Sequence, residues 1–380
     1  MDSIVNDIKQ AWFIIGSALL LLFILDFFLR KLLALKFFKL KTYSSLDGTL
    51  LDAKPTIPES YQNQHDDWFI DYIHEAKWVF NHIQWRSYTY WCSKQFQGKY
   101  ININHKGIRK TSGHPSLTEN DITIYVFGGS TVWGWGARDN YTIPSCIAQQ
   151  LEDEYGIRAK VINFGELGYV STQGLICLIR ELQQQRKPDI VVTYDGLNDS
   201  FLSYQLGRAG LVQNEPNRER EFNQTLSRHF KNFISTKSGF YQLKHKLTVP
   251  PIASINTHKS SKLAKDTVAT YLTNIKILNA LASNINFKLF AYWQPTLFDK
   301  KILSSAEKVM YNKQDFWHHF YLKIKQQIKQ QEKISNFYCL SDIFIDYPEP
   351  AFIDPWHVDE TANKYIAARI SGDIFRYYHP

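Results

Sequence analysis

The segment ITIYVFGGSTVW, residues 122–133, decides how this chain is read. Residues 122–127 form a short apolar run rich in β-branched and aromatic side chains, the pattern of a buried strand. Gly128 and Gly129 end it, and Ser130 follows. Glycines at a strand-to-loop junction let a serine hydroxyl stand out as a nucleophile. The next helical pattern has Thr142 as its N-cap, Pro144 in its first turn, and Ile143, Ile147 and Leu151 on one face.

Four more runs repeat the strand pattern, at 161–164, 189–194, 288–293 and 337–340. Helical stripes alternate with them. Leu175, Leu178, Ile179 and Leu182 follow the i, i+3, i+4, i+7 spacing, Val268, Leu272, Ile275 and Leu278 nearly so, and residues 361–370 form a last helix. Such alternation predicts a parallel sheet covered on both faces. Ligands of those sheets sit beyond the carboxyl ends of the strands. Ser130, Gly168 and Asn198 each follow a strand.

A serine hydroxyl is a weak nucleophile near neutral pH and needs a base within hydrogen-bond reach. Asp354-Pro355-Trp356-His357 supplies one after the last strand. Asp354, three residues before His357, can accept from one ring nitrogen, fix the tautomer and stabilise the imidazolium. Acyl transfer also needs donors for the developing oxyanion. NFGELG, residues 163–168, offers a glycine amide, and DGLND, residues 195–199, offers the Asn198 side chain. The Ser130 N–H makes a third. Asp199 is expected to brace the Asn198 loop, and Arg138 to form a surface salt bridge. Trp133, Trp135 and Trp356 flank these residues and suit either packing or stacking on a substrate.

These segments resemble the sequence blocks of the SGNH, or GDSL, hydrolases. Ser130 matches the block I serine, Gly168 the block II glycine, and Asn198 the block III asparagine. Asp354 and His357 match the block V pair. The resemblance covers roughly residues 104–370 apart from one insertion. It implies a flavodoxin-like three-layer α/β/α sandwich with a parallel sheet, and an oxyanion hole of Ser130 N–H, Gly168 N–H and the Asn198 amide. One position departs from the family: its usual Gly-Asp-Ser is Gly128-Gly129-Ser130 here. That aspartate is not the catalytic acid. With NHKGIR at 104–109 and YDGLND at 194–199, this form looks like a membrane-anchored bacterial subgroup often encoded with surface-polysaccharide genes.

The 380 residues are 44% hydrophobic and 15% aromatic, enough for one large core or two modest ones. The formal charge is +8 and the pI about 9.0, which favours anionic partners. No zinc-finger, RNP-like or basic-helix signature accompanies it, so nucleic acid is not expected. The four cysteines show no CxxC pairing and read as buried thiols, with a disulfide from Cys92 left open. No His cluster has metal-ligand spacing. The chemistry calls for neither a metal nor an organic cofactor.

Residues 11–29 are almost wholly apolar and about the length that crosses hydrocarbon. A basic, apolar stretch follows and no small-residue cleavage site, so an uncleaved single-pass anchor is expected over a signal peptide. The basic flank after the span puts the catalytic domain on the cytoplasmic side by the positive-inside rule. An enzyme acting on envelope polymers needs the opposite, and sidedness stays open. The expected organisation is an anchor with a basic segment at 1–45, an irregular extension with some strands at 46–120, and a hydrolase-like domain at 121–380. A cap is expected at about 205–265.

The expected function is a membrane-anchored serine ester hydrolase removing a small acyl group, such as acetyl, from a surface glycan. Two alternatives stand beside it: an O-acyltransferase using the same site, and a glycan-binding relative without catalysis. Sequence does not give the acyl group, the acceptor or the oligomeric state.

Overall fold

The computed structural model describes residues 2–34, 57–62, 68–112, 121–223, 257–312, 315–330 and 334–379. The chain divides into two units, Met1–Ser45 with Asn214–Ser254, and Leu46–Gln213 with Ile255–Pro380.

In the first unit, helix α1 (Asp2–Ala34) contains Lys9–Lys31, a stretch of mean hydropathy 2.4 that is long and apolar enough to cross a membrane. Its one internal acid, Asp26, accepts from Arg30 one turn on at 2.9 Å. The pairing offsets the carboxylate's charge within the apolar run.

The second unit begins with an extension more ordered than its sequence suggests. Helix α2 (Trp68–Asn81) buries Phe69, Tyr72, Ile73, Ala76 and Val79. Strands β1 (Ile83–Arg86) and β2 (Tyr90–Ser93) form one hairpin, and β3 (Phe96–Gln97) and β4 (Asn102–Ile103) a second. Arg109 then bridges Ile103 to Asn163. That links the extension to the edge of the main sheet.

The main domain runs β5 (Ile122–Gly128), α3 (Ser130–Trp133), α4 (Ile143–Asp153), β6 (Ala159–Asn163), α5 (Ser171–Gln183), β7 (Ile190–Asp195) and α6 (Leu197–Leu206). Helix α7 (Glu215–Phe222) belongs to the first unit. The domain continues with α8 (Thr257–Ile285), β8 (Lys288–Trp293), α9 (Ser305–Asn312), α10 (Asp315–Lys329), β9 (Phe337–Cys339) and α11 (Glu360–Tyr378). The five main strands are all parallel, in the order β6-β5-β7-β8-β9. Numbered within this sheet, that is 2-1-3-4-5, the flavodoxin-like order.

Alternation along each strand divides the core. Tyr125, Phe127, Val191, Leu289 and Ala291 pack with α5, α8 and α10 on one face. Ile124, Val126, Val192, Phe290 and Tyr292 pack with α4 and α11 on the other. This is the three-layer sandwich expected from the sequence. Of the stretch read as a cap, 224–256 lies outside the described residues, and α8 already begins at Thr257.

Candidate active site

β5 ends in Gly128, and the chain turns directly into the one-turn helix α3, whose first residue is Ser130. The sequence led to expect a loop there. The Ser130 carbonyl accepts from Gly134 and Trp135, both at 2.9 Å, and Gly134 closes the helix in the left-handed region at φ +99°. Gly129 has no room for a side chain. A Cβ there would lie 2.4 Å from Asn198 Nδ2 and 3.3 Å from the Tyr169 carbonyl oxygen. An aspartate at this position would need Asn198 to move, a physical reason for the glycine where the family usually has Asp.

His357 follows the segment 351–356 and is buried. Its Nε2 lies 2.7 Å from Ser130 Oγ, and its Nδ1 lies 2.7 Å from Asp354 Oδ2. Asp354 Oδ1 accepts the backbone N–H groups of Trp356 at 2.9 Å and His357 at 2.8 Å. An ionised carboxylate only accepts, so the Asp354 contact places a proton on Nδ1. That leaves the Nε2 lone pair facing the Ser130 hydroxyl. The three-residue spacing works because the turn aims the carboxylate back at both its own backbone and the ring.

The expected oxyanion donors lie on neighbouring strand ends. Gly168 adopts φ +74°, which an L-residue with a side chain rarely takes. Neither its N–H nor that of Ser130 has a hydrogen-bond partner among the described residues. Asn198 is the second residue of α6, and its Nδ2 donates to the Tyr169 carbonyl at 2.7 Å. That bond uses one amide hydrogen, fixes the side chain over Gly129 and leaves the second hydrogen.

Several residues that hold this arrangement escaped the sequence reading. Arg109, the last residue of NHKGIR, is fully buried against the end of α3. Its Nη1 donates to the carbonyls of Trp133 (3.0 Å) and Gly134 (2.8 Å), its Nη2 to that of Ala137 (2.7 Å), and its Nε to Asp139 Oδ1 (2.9 Å). The guanidinium also lies 4.4 Å from the Trp133 ring centroid. A cation thus caps the carboxyl end of the helix that carries Ser130.

Glu166, in the loop before Gly168, is equally buried. It accepts from Ser93 N–H at 2.6 Å, Ser93 Oγ at 2.7 Å and its neighbour's N–H at 3.0 Å. Burial raises its pKa and these donors oppose the rise. Trp91 Nε1 donates to the Leu167 carbonyl at 2.9 Å, and Tyr169 Oη donates to the Trp91 carbonyl and lies 3.0 Å from the Thr89 hydroxyl. The β1–β2 hairpin therefore clamps the loop that presents Gly168. Gln294, just past β8, takes a long contact of 3.4 Å from the Thr131 hydroxyl, and its buried Nε2 has no partner among the described residues.

Other expectations resolve as structure. Asp199 accepts from Ser171 N–H (3.0 Å) and Oγ (2.6 Å), so it ties the start of α6 to the start of α5. Burial and the nearby Asp199 push the Asp195 carboxyl well above its usual range. Arg138 pairs with Glu360 at 2.6 Å and lies over Trp68. Trp133 and Trp135 are buried in the cluster with α2, and Trp356 packs edge-on against Trp317 with centroids 4.7 Å apart. All three pack. The four cysteines are free thiols, so Cys92 forms no disulfide with the others.

A model of the family described as GDSL-like Lipase/Acylhydrolase matches residues 124–370. No curated protein matches the chain. Among solved structures, the acetyl xylan esterase AlAXEase is 14% identical, with 67% of this chain and 100% of that chain covered and a TM-score of 0.37. The lipase/acylhydrolase from Enterococcus faecalis is 14% identical over 67% of this chain and 96% of that one, with a TM-score of 0.35. The psychrotrophic esterase EstA from Pseudoalteromonas sp. is 13% identical over 68% and 100%, also with a TM-score of 0.35. The family match at residues 124–370 takes in both Ser130 and His357 and covers about two thirds of the sequence: the chain belongs to the GDSL-like lipase/acylhydrolase family, hydrolases that act on ester bonds.

Proposed function

We propose that this protein is a membrane-anchored serine ester hydrolase in which Ser130 is the nucleophile, His357 the general base and Asp354 the orienting acid. The observation that carries the reading is the unbroken relay of two 2.7 Å contacts from Ser130 Oγ through His357 to Asp354. Ser130 Oγ attacks the ester carbonyl as His357 Nε2 takes its proton. The Ser130 N–H, the Gly168 N–H and the spare Asn198 hydrogen receive the oxyanion. His357 then protonates the leaving alcohol. Water, deprotonated by the same nitrogen, attacks the acyl-serine and releases the acid.

Helix α1 supports attachment to a membrane by its length and apolar content. Ser130 is 6% exposed and His357 1%, which supports a small acyl group such as acetyl; a glycan as its carrier is our reading from the sequence resemblance. The same burial supports a second reading, transfer of the acyl group to a sugar hydroxyl, because excluding water favours an alternative acceptor.

The test is p-nitrophenyl acetate turnover by the full chain in detergent, for wild type, Ser130→Ala and His357→Ala. Both variants are expected to lose about 10³-fold or more in kcat. Turnover by Ser130→Ala equal to wild type would overturn the assignment, as would a wild type that neither turns over esters nor reacts with a fluorophosphonate. Adding a sugar acceptor and comparing acyl-sugar with free acid separates transfer from hydrolysis.

A further inference from the structure

A cavity of about 390 Å³, lined by none of the residues assigned to the Ser130 site, lies between the β1–β2 hairpin, the turn at 105–108 and the outer part of α5. Four basic side chains line it: Arg86, Lys106, Arg180 and Arg186. Its one carboxylate is Glu181. Four positive groups against one negative leave three net positive charges around a space of small-ligand size. Phe164 and Ile108 give it an apolar wall.

Three of the four cations are already held in place. Arg86 Nη2 donates to the Lys106 carbonyl. Arg180 lies over the Tyr88 ring at 5.1 Å and donates to Gln183 at 3.0 Å. Arg186 forms a two-pronged pair with Glu181, one arm at 2.9 Å. An anion entering this cavity meets ordered donors, so little side-chain freedom is lost on binding. Guanidinium groups match the geometry of phosphate oxygens and bind them with charge-assisted hydrogen bonds.

The rim adds a second observation. Tyr88, between the lining residues Ser87 and Thr89, is 66% exposed, and Arg180 lies over its ring. An exposed Tyr beside basic side chains suits the headgroup level of a bilayer, where one part of the ring is apolar and the other wet.

We propose that this cavity is a phosphate-binding site separate from the Ser130 site, holding a phosphate ester with its organic group against Phe164 and Ile108. The exposed Tyr88 ring beside these cations favours a lipid headgroup over a soluble phosphate as its source.

The test uses the full chain in a neutral detergent and calorimetric titration with three probes. These are dihexanoyl phosphatidylglycerol, glycerol phosphate and, as the zwitterionic control whose phosphate is offset by its own choline, dihexanoyl phosphatidylcholine. The variant is Lys106→Glu with Arg180→Glu; both side chains are exposed, and an unchanged thermal midpoint shows that it folds. Wild type is expected to bind phosphatidylglycerol more tightly than phosphatidylcholine, to weaken with added salt, and to lose about tenfold or more in affinity in the variant. Equal binding of glycerol phosphate and phosphatidylglycerol upholds the site and makes its ligand a soluble phosphate. No heat from either anionic probe at millimolar concentration, or equal affinities in wild type and a folded variant, overturns the proposal.

Discussion

Arg109 is where the geometry makes its largest single demand on one side chain. Its guanidinium serves three backbone carbonyls and the Asp139 carboxylate, all between 2.7 and 3.0 Å. Arg109→Met leaves these acceptors without their donor in the interior. Breaking a buried ion pair from one side costs about 3–5 kcal/mol, and the orphaned Ala137 carbonyl adds about 1–3 kcal/mol, short of additively, whereas the Gly134 carbonyl keeps the Tyr72 hydroxyl and the Ala137 N–H. A loss above about 5 kcal/mol reaches the lower end of ordinary domain stability, so this variant is expected not to fold. Arg109→Lys is the informative change. It keeps the charge, but one ammonium cannot span acceptors arranged around a planar fork. Losing about two charge-assisted bonds predicts a cost of about 2–4 kcal/mol after relaxation. The thermal midpoint is expected to fall by about 4–16 °C, at about 2–4 °C per kcal/mol. Ser130 begins the helix that Arg109 caps, so kcat for p-nitrophenyl acetate is expected to fall with KM little changed. Urea unfolding and steady-state kinetics on the full chain in detergent measure both. An Arg109→Lys protein within about 0.5 kcal/mol and twofold of wild type would refute the capping argument.

Three other substitutions test neighbouring links. Asp354→Asn no longer requires the Nδ1–H tautomer and is expected to lower kcat by about 10³-fold or more with folding intact, checked by ester turnover alongside circular dichroism. Gly129→Ala drives a methyl towards Asn198 Nδ2 and is expected to reduce kcat by about 10–10³-fold through the displaced donor; unchanged kinetics would show that Asn198 is not held there for catalysis. Asp359 caps α11 through the Ala362 N–H, and burial raises its pKa from 3.8 to about 6. Because the folded pKa lies above the unfolded one, the stability this carboxyl contributes is complete below about pH 4 and is lost as pH rises through about 6. Asp359→Asn keeps the cap and removes the titration. It is expected to stabilise the protein above pH 6 by up to about 3 kcal/mol, with no gain near pH 4, read from unfolding curves at both pH values.

The parallel sheet was legible because each of its strands is a short apolar run bounded by turn residues and separated by helical stripes. Thr142 as a cap, Pro144 in the first turn and the Ile143–Ile147–Leu151 face all appear as read. Ser130, His357 and Asp354 could be picked out because acid–base chemistry restricts residue type, yet only the fold brings Ser130 against a histidine 227 positions away. What sequence concealed was the supporting layer. The helical spacing of Phe69, Tyr72, Ile73, Ala76 and Val79 is present, but the surrounding aromatic residues blur it into a strand-like run. Arg109 appears in sequence only as the last residue of NHKGIR, since burial of a guanidinium depends on carbonyls supplied by a distant turn. Glu166 likewise gives no sign that its donors lie on Ser93.

The bond between Glu166 and Ser93 has a consequence for how this protein comes into being. The stretch that the family model matches begins at residue 124, whereas the Glu166 carboxylate within it takes two of its donors from Ser93, 73 positions earlier. A chain cut at residue 124 would lose both Ser93 donors and the hairpin that packs over this loop. A graft or fusion must therefore carry the hairpin along. Synthesis runs from the amino end, so the hairpin leaves the ribosome first and waits for the loop it will clamp. The loop that presents Gly168 is thus received by a partner already made, and the nucleophile's neighbourhood is completed only when the later segment carrying Asp354 and His357 emerges.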